Sequence, residues 1–192
     1  MNILGISGSL RADSHNTRLL REAARLLPGG TELTLLDPEI LRAIPPYDED
    51  ARSASPDPFA VAALRQAISR ADGVLVATPE YNSSIPGVLK NALDWASRPL
   101  GESPLRGKDA AVIGASTGMF GAVWAQAETR KVLSAVGARV VDLELPVGSA
   151  DDAWEDDGTL RDSELREQLA AHLTALIEAA DVSRAATLAR AA

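Results

Sequence analysis

The sequence predicts an α/β domain: a doubly wound, five-stranded parallel sheet of order 2-1-3-4-5 with helices on both faces. Three observations predict it. Five short runs are apolar almost without interruption, as strands buried on both faces read. Longer segments with apolar residues at helical spacing lie between them, so strand and helix alternate five times. The 192-residue length fits one domain with a full core.

The expected strands are residues 2–7, 32–36, 74–78, 110–115 and 140–145. The first helix, 16–27, carries Leu19, Leu20, Ala23, Ala24, Leu26 and Leu27. The second, 58–70, carries Val61, Leu64, Ala67 and Ile68. The third, 86–97, carries Leu89, Ala92, Leu93 and Ala96, with Lys90 and Asp94 as an exposed i,i+4 pair and Pro86 near the first helical position. The fourth, 121–136, carries Ala125, Val132, Leu133 and Val136, and the fifth, 163–180, carries Leu165, Leu169, Leu173, Leu176 and Ile177. Gly30 and Gly137 stand where helices should end. The Pro-rich, acidic stretch 37–57 reads as a loop or short irregular segment. Residues 181–192 read as a frayed tail, because they are Ala- and Arg-rich without an apolar stripe.

Composition removes several kinds of function. A formal net charge of −8 argues against a nucleic-acid surface and against an anionic membrane face. No cysteine is present, so disulfides, thiol nucleophiles, thiolate metal sites and iron–sulfur clusters are excluded together. The only histidines, His15 and His172, are far apart, which disfavours a His-based metal site or a Ser-His-Asp triad. Any redox chemistry must come from a bound cofactor. The N-terminus lacks the basic and apolar segments of a signal peptide, and no run approaches the roughly 20 apolar residues of a membrane span, so a cytoplasmic location is expected.

Three loops concentrate unusual residues. The first strand runs into Gly8-Ser9-Leu10-Arg11-Ala12-Asp13-Ser14-His15-Asn16-Thr17. This matches neither common glycine-rich phosphate motif. A helix N-terminus already favours an anion, and the hydroxyls with the Arg11 guanidinium would complete a phosphate cradle. Plain capping by Ser14 or Asn16 is the alternative; it accounts for one such residue and not for four beside an arginine. The third strand runs into Pro79-Glu80-Tyr81-Asn82-Ser83-Ser84-Ile85-Pro86-Gly87, which offers a flat ring and uncharged hydrogen-bonding groups. An ordinary turn is the alternative there. The fourth strand runs into Gly114-Ala115-Ser116-Thr117-Gly118-Met119-Phe120-Gly121, suited to close approach of backbone and ligand or to a flexible turn. In the predicted sheet order, strands 1, 3 and 4 are neighbours, and ligands bind at their carboxyl ends. The three loops then make one site: a phosphate subsite beside a flat, polar-edged slot, the shape of a flavin mononucleotide site. The acidic loop 150–157 reads as merely solvated.

On these motifs the chain resembles the NADPH-dependent FMN reductase family, flavodoxin-like proteins that include quinone and chromate reductases. The matching segments are residues 8–17, 79–95 and 114–121, and the likeness spans residues 1 to 177. It implies a flavodoxin-like FMN-binding domain over residues 1–180, with 181–192 as a C-terminal tail. It implies that Ser9, Arg11, Ser14, Asn16 and Thr17 hold the FMN phosphate, with His15 in the same loop. It implies that Pro79, Glu80, Tyr81 and Asn82 border the ribityl chain and ring, and that Ser116, Thr117 and Gly118 line the ring's other edge. A hydride from NADPH or NADH would pass to FMN and on to a small electron acceptor such as a flavin or quinone. No protein nucleophile and no metal is required. The alternatives are a non-catalytic electron carrier and a flavin-free sensor. The resemblance also implies a homodimer or homotetramer, with Trp95 and Trp124 on the helices supplying the contact; plain core packing is the alternative for Trp95. The family often carries paired glycines and an arginine early in the fourth helix; this chain has Gly121-Ala122-Val123-Trp124 there, and the missing arginine leaves the choice between NADPH and NADH open.

Overall fold

The computed structural model describes residues 1–53 and 56–191. Ala54, Ser55 and Ala192, which belong to the expected loop and tail, lie outside the described residues. The strands are β1 (Asn2–Ser7), β2 (Glu32–Leu35), β3 (Gly73–Thr78), β4 (Asp109–Ala115), β5 (Arg139–Val140) and β6 (Pro146–Val147). All pairs are parallel, in the order β2-β1-β3-β4-β5, with β6 on β4 as well. The predicted order is therefore correct.

The fifth strand differs from expectation. Only its two ends pair with β4, through Arg139 and Val140 and then through Pro146 and Val147. Between them Asp142, Leu143 and Glu144 are exposed. Two carboxylates within three residues favour solvent over a central ladder, so the run leaves the sheet and returns to it.

The α-helices are α1 (His15–Leu26), α2 (Pro38–Ala43), α3 (Glu49–Ser53), α4 (Phe59–Arg70), α5 (Gly87–Ala96), α6 (Val123–Ala135) and α7 (Ser163–Ala191). Two short helices thus occupy the stretch expected to be irregular. Asp37 caps α2 by accepting from the Glu39 N–H at 2.9 Å, and Pro38 stands in its first turn. The expected frayed tail is helical through Ala191. Alanine and arginine are strong helix formers, and no glycine or proline interrupts residues 163–191.

Alternation along the central strands divides the core in two. Leu4, Ile6, Val74, Val76, Ala110 and Val112 face one side, with Leu64, Leu89, Trp95 and Leu133 from α4, α5 and α6. Ile3, Leu75, Ala77, Ala111 and Ile113 face the other, with Leu19 and Leu20 from α1 and Leu169, Leu173 and Leu176 from α7. β3 and β4 are buried at every position, which explains their unbroken apolar runs. Trp95, expected at a subunit contact, is a core residue: it is 1% exposed and its indole N–H donates to the Pro45 carbonyl at 2.8 Å.

Candidate functional site

Because β1, β3 and β4 are adjacent and in register, the loops that follow them leave the sheet side by side. The Gly8 N–H donates to the Ala77 carbonyl at 2.8 Å, which ties the first loop to β3. A cleft opens between the loops. From the first it is lined by Ser9, Arg11, Ser14, His15 and Asn16; from the second by Pro79, Glu80 and Tyr81; from the third by Ala115, Ser116 and Thr117. Ten of the thirteen expected site residues meet here. Thr17, Asn82 and Gly118 stand next to the lining rather than in it.

In the first loop the side chains divide their work. Ser14 is the N-cap of α1, its hydroxyl accepting from the Thr17 N–H at 3.2 Å. Asn16 is buried and clasps β4: its amide donates to the Ala115 carbonyl at 2.9 Å, and its carbonyl accepts from the Ala115 N–H at 3.0 Å. Thr17 donates its hydroxyl proton to Ser7 at 2.9 Å. Arg11 is exposed and has no carboxylate partner among the described residues. The loop thus presents a free guanidinium beside a helix N-terminus, on a scaffold fixed by Ser14, Asn16 and Thr17.

His15 is anchored by a segment that sequence reasoning set aside. The Trp154 indole N–H donates to His15 Nδ1 at 3.2 Å, and His15 Nε2 lies 3.1 Å from Asp151 Oδ1. An indole only donates, so Nδ1 is the acceptor and Nε2 carries the proton toward Asp151. The two rings lie edge to edge across this bond, their centres 6.4 Å and their planes 6° apart, and the Arg18 guanidinium lies 5.3 Å from the centre of the Trp154 ring. The 150–157 loop is therefore not merely solvated: Ala150 and Trp154 are buried, and Asp151 joins the loop to the rim of the cleft.

The second loop makes a tight turn. Tyr81 and Ser84 exchange backbone hydrogen bonds at 3.0 and 3.2 Å, while Asn82 and Ser83 have φ of +53° and +59°. That pair of left-handed residues is the geometry of a type I′ turn. Asn82 is thereby carried to the exposed tip. The Glu80 carboxylate accepts from the N–H groups of Trp124 and Ala125 at 3.1 and 3.2 Å, capping α6. Glu128, which the sequence reading did not single out, accepts from the Ser84 hydroxyl at 2.6 Å and the Ile85 N–H at 3.0 Å. The Ser84 bond, then the Ile85 bond, hold its carboxyl below the usual carboxylate range.

The third loop is sewn to the chain after β6. Ser116 N–H donates to Val147 O, and Ala150 N–H to Ser116 O, both at 3.0 Å. Gly118 accepts from the Ser149 N–H at 3.1 Å. Beyond it, Met119, Phe120 and Trp124 are exposed near Tyr81's loop, and the Phe120 and Trp124 rings meet edge to face 5.2 Å apart.

The cleft measures about 110 Å³. A larger cavity, about 960 Å³, lies at the other end of the sheet under α7, lined by Lys108, Asp109 and Arg139 and far from all three loops. Chemistry, not size, singles out the small cleft. No group of three or more potential metal ligands occurs among the described residues, and none of the described helices is long and apolar enough to cross a membrane.

The chain is similar to known proteins. The family model for NADPH-dependent FMN reductases matches residues 1–152. An NAD(P)H-dependent FMN reductase of Pseudomonas aeruginosa is 44% identical over 177 residues, covering 92% of this chain and 93% of that protein. A 2-hydroxy-1,4-benzoquinone reductase of a Burkholderia species is 45% identical over 132 residues, 69% of each chain. Among solved structures, the flavoenzyme NAD(P)H:(acceptor) oxidoreductase FerB of Paracoccus denitrificans superposes with a TM-score of 0.81 at 34% identity, covering 95% of this chain and 98% of that one. Fold, loop chemistry and relatives agree: this chain belongs to the NADPH-dependent FMN reductase family.

Proposed function

We propose that the protein is an FMN-dependent NAD(P)H oxidoreductase, passing a hydride from nicotinamide to bound FMN and on to a flavin, quinone or other small acceptor. One observation carries this reading: three loops from adjacent strands meet in a cleft whose one unpaired cation, Arg11, stands beside the N-terminus of α1. The donor set fits an FMN phosphate. Arg11 and the Ser9 hydroxyl face it, with the free N–H groups of the helix. Ser14, Asn16 and Thr17 act by holding that loop in shape, and His15 by joining it to Asp151 and Trp154. Pro79, Tyr81 and Asn82 border the ribityl chain and ring from one side, and Ser116, Thr117 and Gly118 from the other. Glu80 works through α6. Flavin bound there supplies the redox chemistry that a chain without cysteine cannot. The protein positions the reactants and shields them from water.

The ring would extend from the cleft toward the rim that bears Tyr81, Phe120 and Trp124. That exposed apolar rim supports a homodimer or homotetramer in which a second copy covers the ring. Trp124 takes part in this reading; the buried Trp95 does not. Residues 1–180 form the flavin-binding unit, and the last turns of α7 stand outside it. The cytoplasm, where reduced nicotinamides are made, is the compartment such an enzyme implies.

The test is to reconstitute the purified chain with FMN and supply NADPH or NADH with a panel of acceptors. A flavin spectrum, release of FMN on denaturation and rapid nicotinamide oxidation are expected. Bound FMN without nicotinamide oxidation would make the protein an electron carrier. No flavin uptake would end the reading. Light scattering that gives a monomer mass with FMN bound would end the oligomer proposal.

A further inference from the structure

Two carboxylates at the rim reach across to each other's elements. Glu80, in the loop after β3, binds the first amides of α6; Glu128, in the second turn of α6, binds the far side of the loop that carries Glu80. These bonds span 43 to 45 residues of sequence, whereas the Ser14 cap spans three. A cap of three residues serves its own helix. Bonds of this span fix one element against another.

What the pair fixes is strained. Between Glu80 and Ile85 lie Asn82, a residue that tolerates the left-handed region, and Ser83, and at the start of α6 lies Ala122 with φ +61°; serine and alanine are disfavoured there. Such conformations persist only where the surroundings over-determine them. The four bonds do so. They also set the two ring-bearing segments, Tyr81 on one and Phe120 with Trp124 on the other, on a single rim.

We infer that Glu80 and Glu128 are positioning residues, a crossed pair that locks the 81–85 turn against α6 and so sets the width of the slot for the flavin ring. This rests on the cleft being a flavin site. It adds that the ring's affinity depends on two carboxylates that need not touch it.

The test compares the full-length chain with Glu128→Ala, Glu128→Gln and Glu80→Gln, each checked for folding by circular dichroism and used well below its melting temperature. Riboflavin, which lacks the phosphate, probes the ring slot, and FMN probes ring and phosphate together. Glu128→Ala should weaken both flavins by the same factor, on the order of tenfold, as expected for losing hydrogen bonds to a charged group. Glu128→Gln keeps an acceptor and should recover part of that loss. In amide hydrogen exchange of the flavin-free protein, Glu128→Gln should speed exchange at Ile85 and also at Trp124 and Ala125, whose partner is Glu80. A folded Glu128→Ala protein that binds riboflavin like the wild type would overturn the inference, as would faster exchange at Ile85 alone. If Glu128→Ala does not fold, the two Gln variants decide by the same readouts. A wild type that binds neither flavin removes the site reading and this inference with it, and shows that before any variant is compared.

Discussion

The two ends of the sheet solve the problem of turning the chain in opposite ways. At the end where β2, β4 and β5 begin, the left-handed positions are glycines: Gly30, Gly107 and Gly137. At the end where the strands stop, the left-handed positions include Asn82, Ser83, Ala122 and Ser149. The first end is also tied by charge. Asp109 is buried and takes two 2.8 Å bonds from Arg139, Lys108 donates to the Ala71 carbonyl at 2.5 Å, and Asp72 accepts from the Asn2 N–H at 2.7 Å. The second end has an unpaired Arg11 and a rim of exposed Tyr81, Met119, Phe120 and Trp124. One end is built for stability. The other holds strain and open valences, as a ligand site requires.

The comparison breaks most easily at Gly121. A Cβ there would stand 2.3 Å from the Pro146 carbonyl carbon and 2.6 Å from the Val147 nitrogen, at a φ of +57°. Backbone cannot give way cheaply, so Gly121→Ala should lose about 3 kcal/mol or more and flavin binding with it. Gly87→Ala meets nothing within 4 Å and should stay within about 0.5 kcal/mol of the wild type. Thermal unfolding of both variants checks the contrast.

At the other end, Asp109→Asn should lower stability by about 1–3 kcal/mol, at the low end of what breaking a buried pair costs because Arg139 is half exposed. Flavin affinity should not change. Burial alone would raise the Asp109 carboxyl, but the Arg139 and Ser183 hydrogen bonds outweigh it and hold the group below its ordinary 3.8. A depressed carboxyl contributes stability above its unfolded value and loses it as pH falls through the folded one. The gap between wild type and Asp109→Asn should therefore be level near neutrality and close below about pH 4. A gap that widens in acid would contradict this.

A small effect of opposite sign is expected at Ser83. Glycine costs less than serine at φ +59°, so Ser83→Gly should raise stability by up to about 1 kcal/mol. A loss there would mean that the turn is not strained.

Much of this was legible beforehand, for physical reasons that can be named. β1, β3 and β4 were readable because both their faces are buried, so their central positions are apolar without interruption. The parallel sheet followed from the alternation of strand and helix, and the meeting of three loops from the order 2-1-3-4-5 of one class of doubly wound sheet. The split fifth strand was not readable as such: Val140, Val141 and Leu143 mimic a strand, and only the exposure of Asp142 and Glu144 shows the gap. Asn16 looked like a phosphate ligand because its partner, Ala115, lies 99 residues away. Interface and core stay open for Trp95 in the sequence, which does not reveal that Pro45 meets its indole. Glu128 carried no local signal at all; a glutamate in the second turn of a helix is ordinary until Ser84 and Ile85 are seen opposite it. The helix through Ala191 is not legible from periodicity, because its last turns carry no apolar stripe, although propensity alone favours continuation.

The central claim is that the open end of the sheet binds FMN through its phosphate at Arg11. Titrating FMN and riboflavin into the wild type and Arg11→Ala tests it most directly. Loss of a charge-assisted hydrogen bond should weaken FMN by about 10- to 200-fold and leave riboflavin almost unchanged. Added salt should weaken FMN more in the wild type than in the variant, because it screens the pair. Equal effects on the two flavins would take Arg11 out of the phosphate site and contradict the account of the first loop.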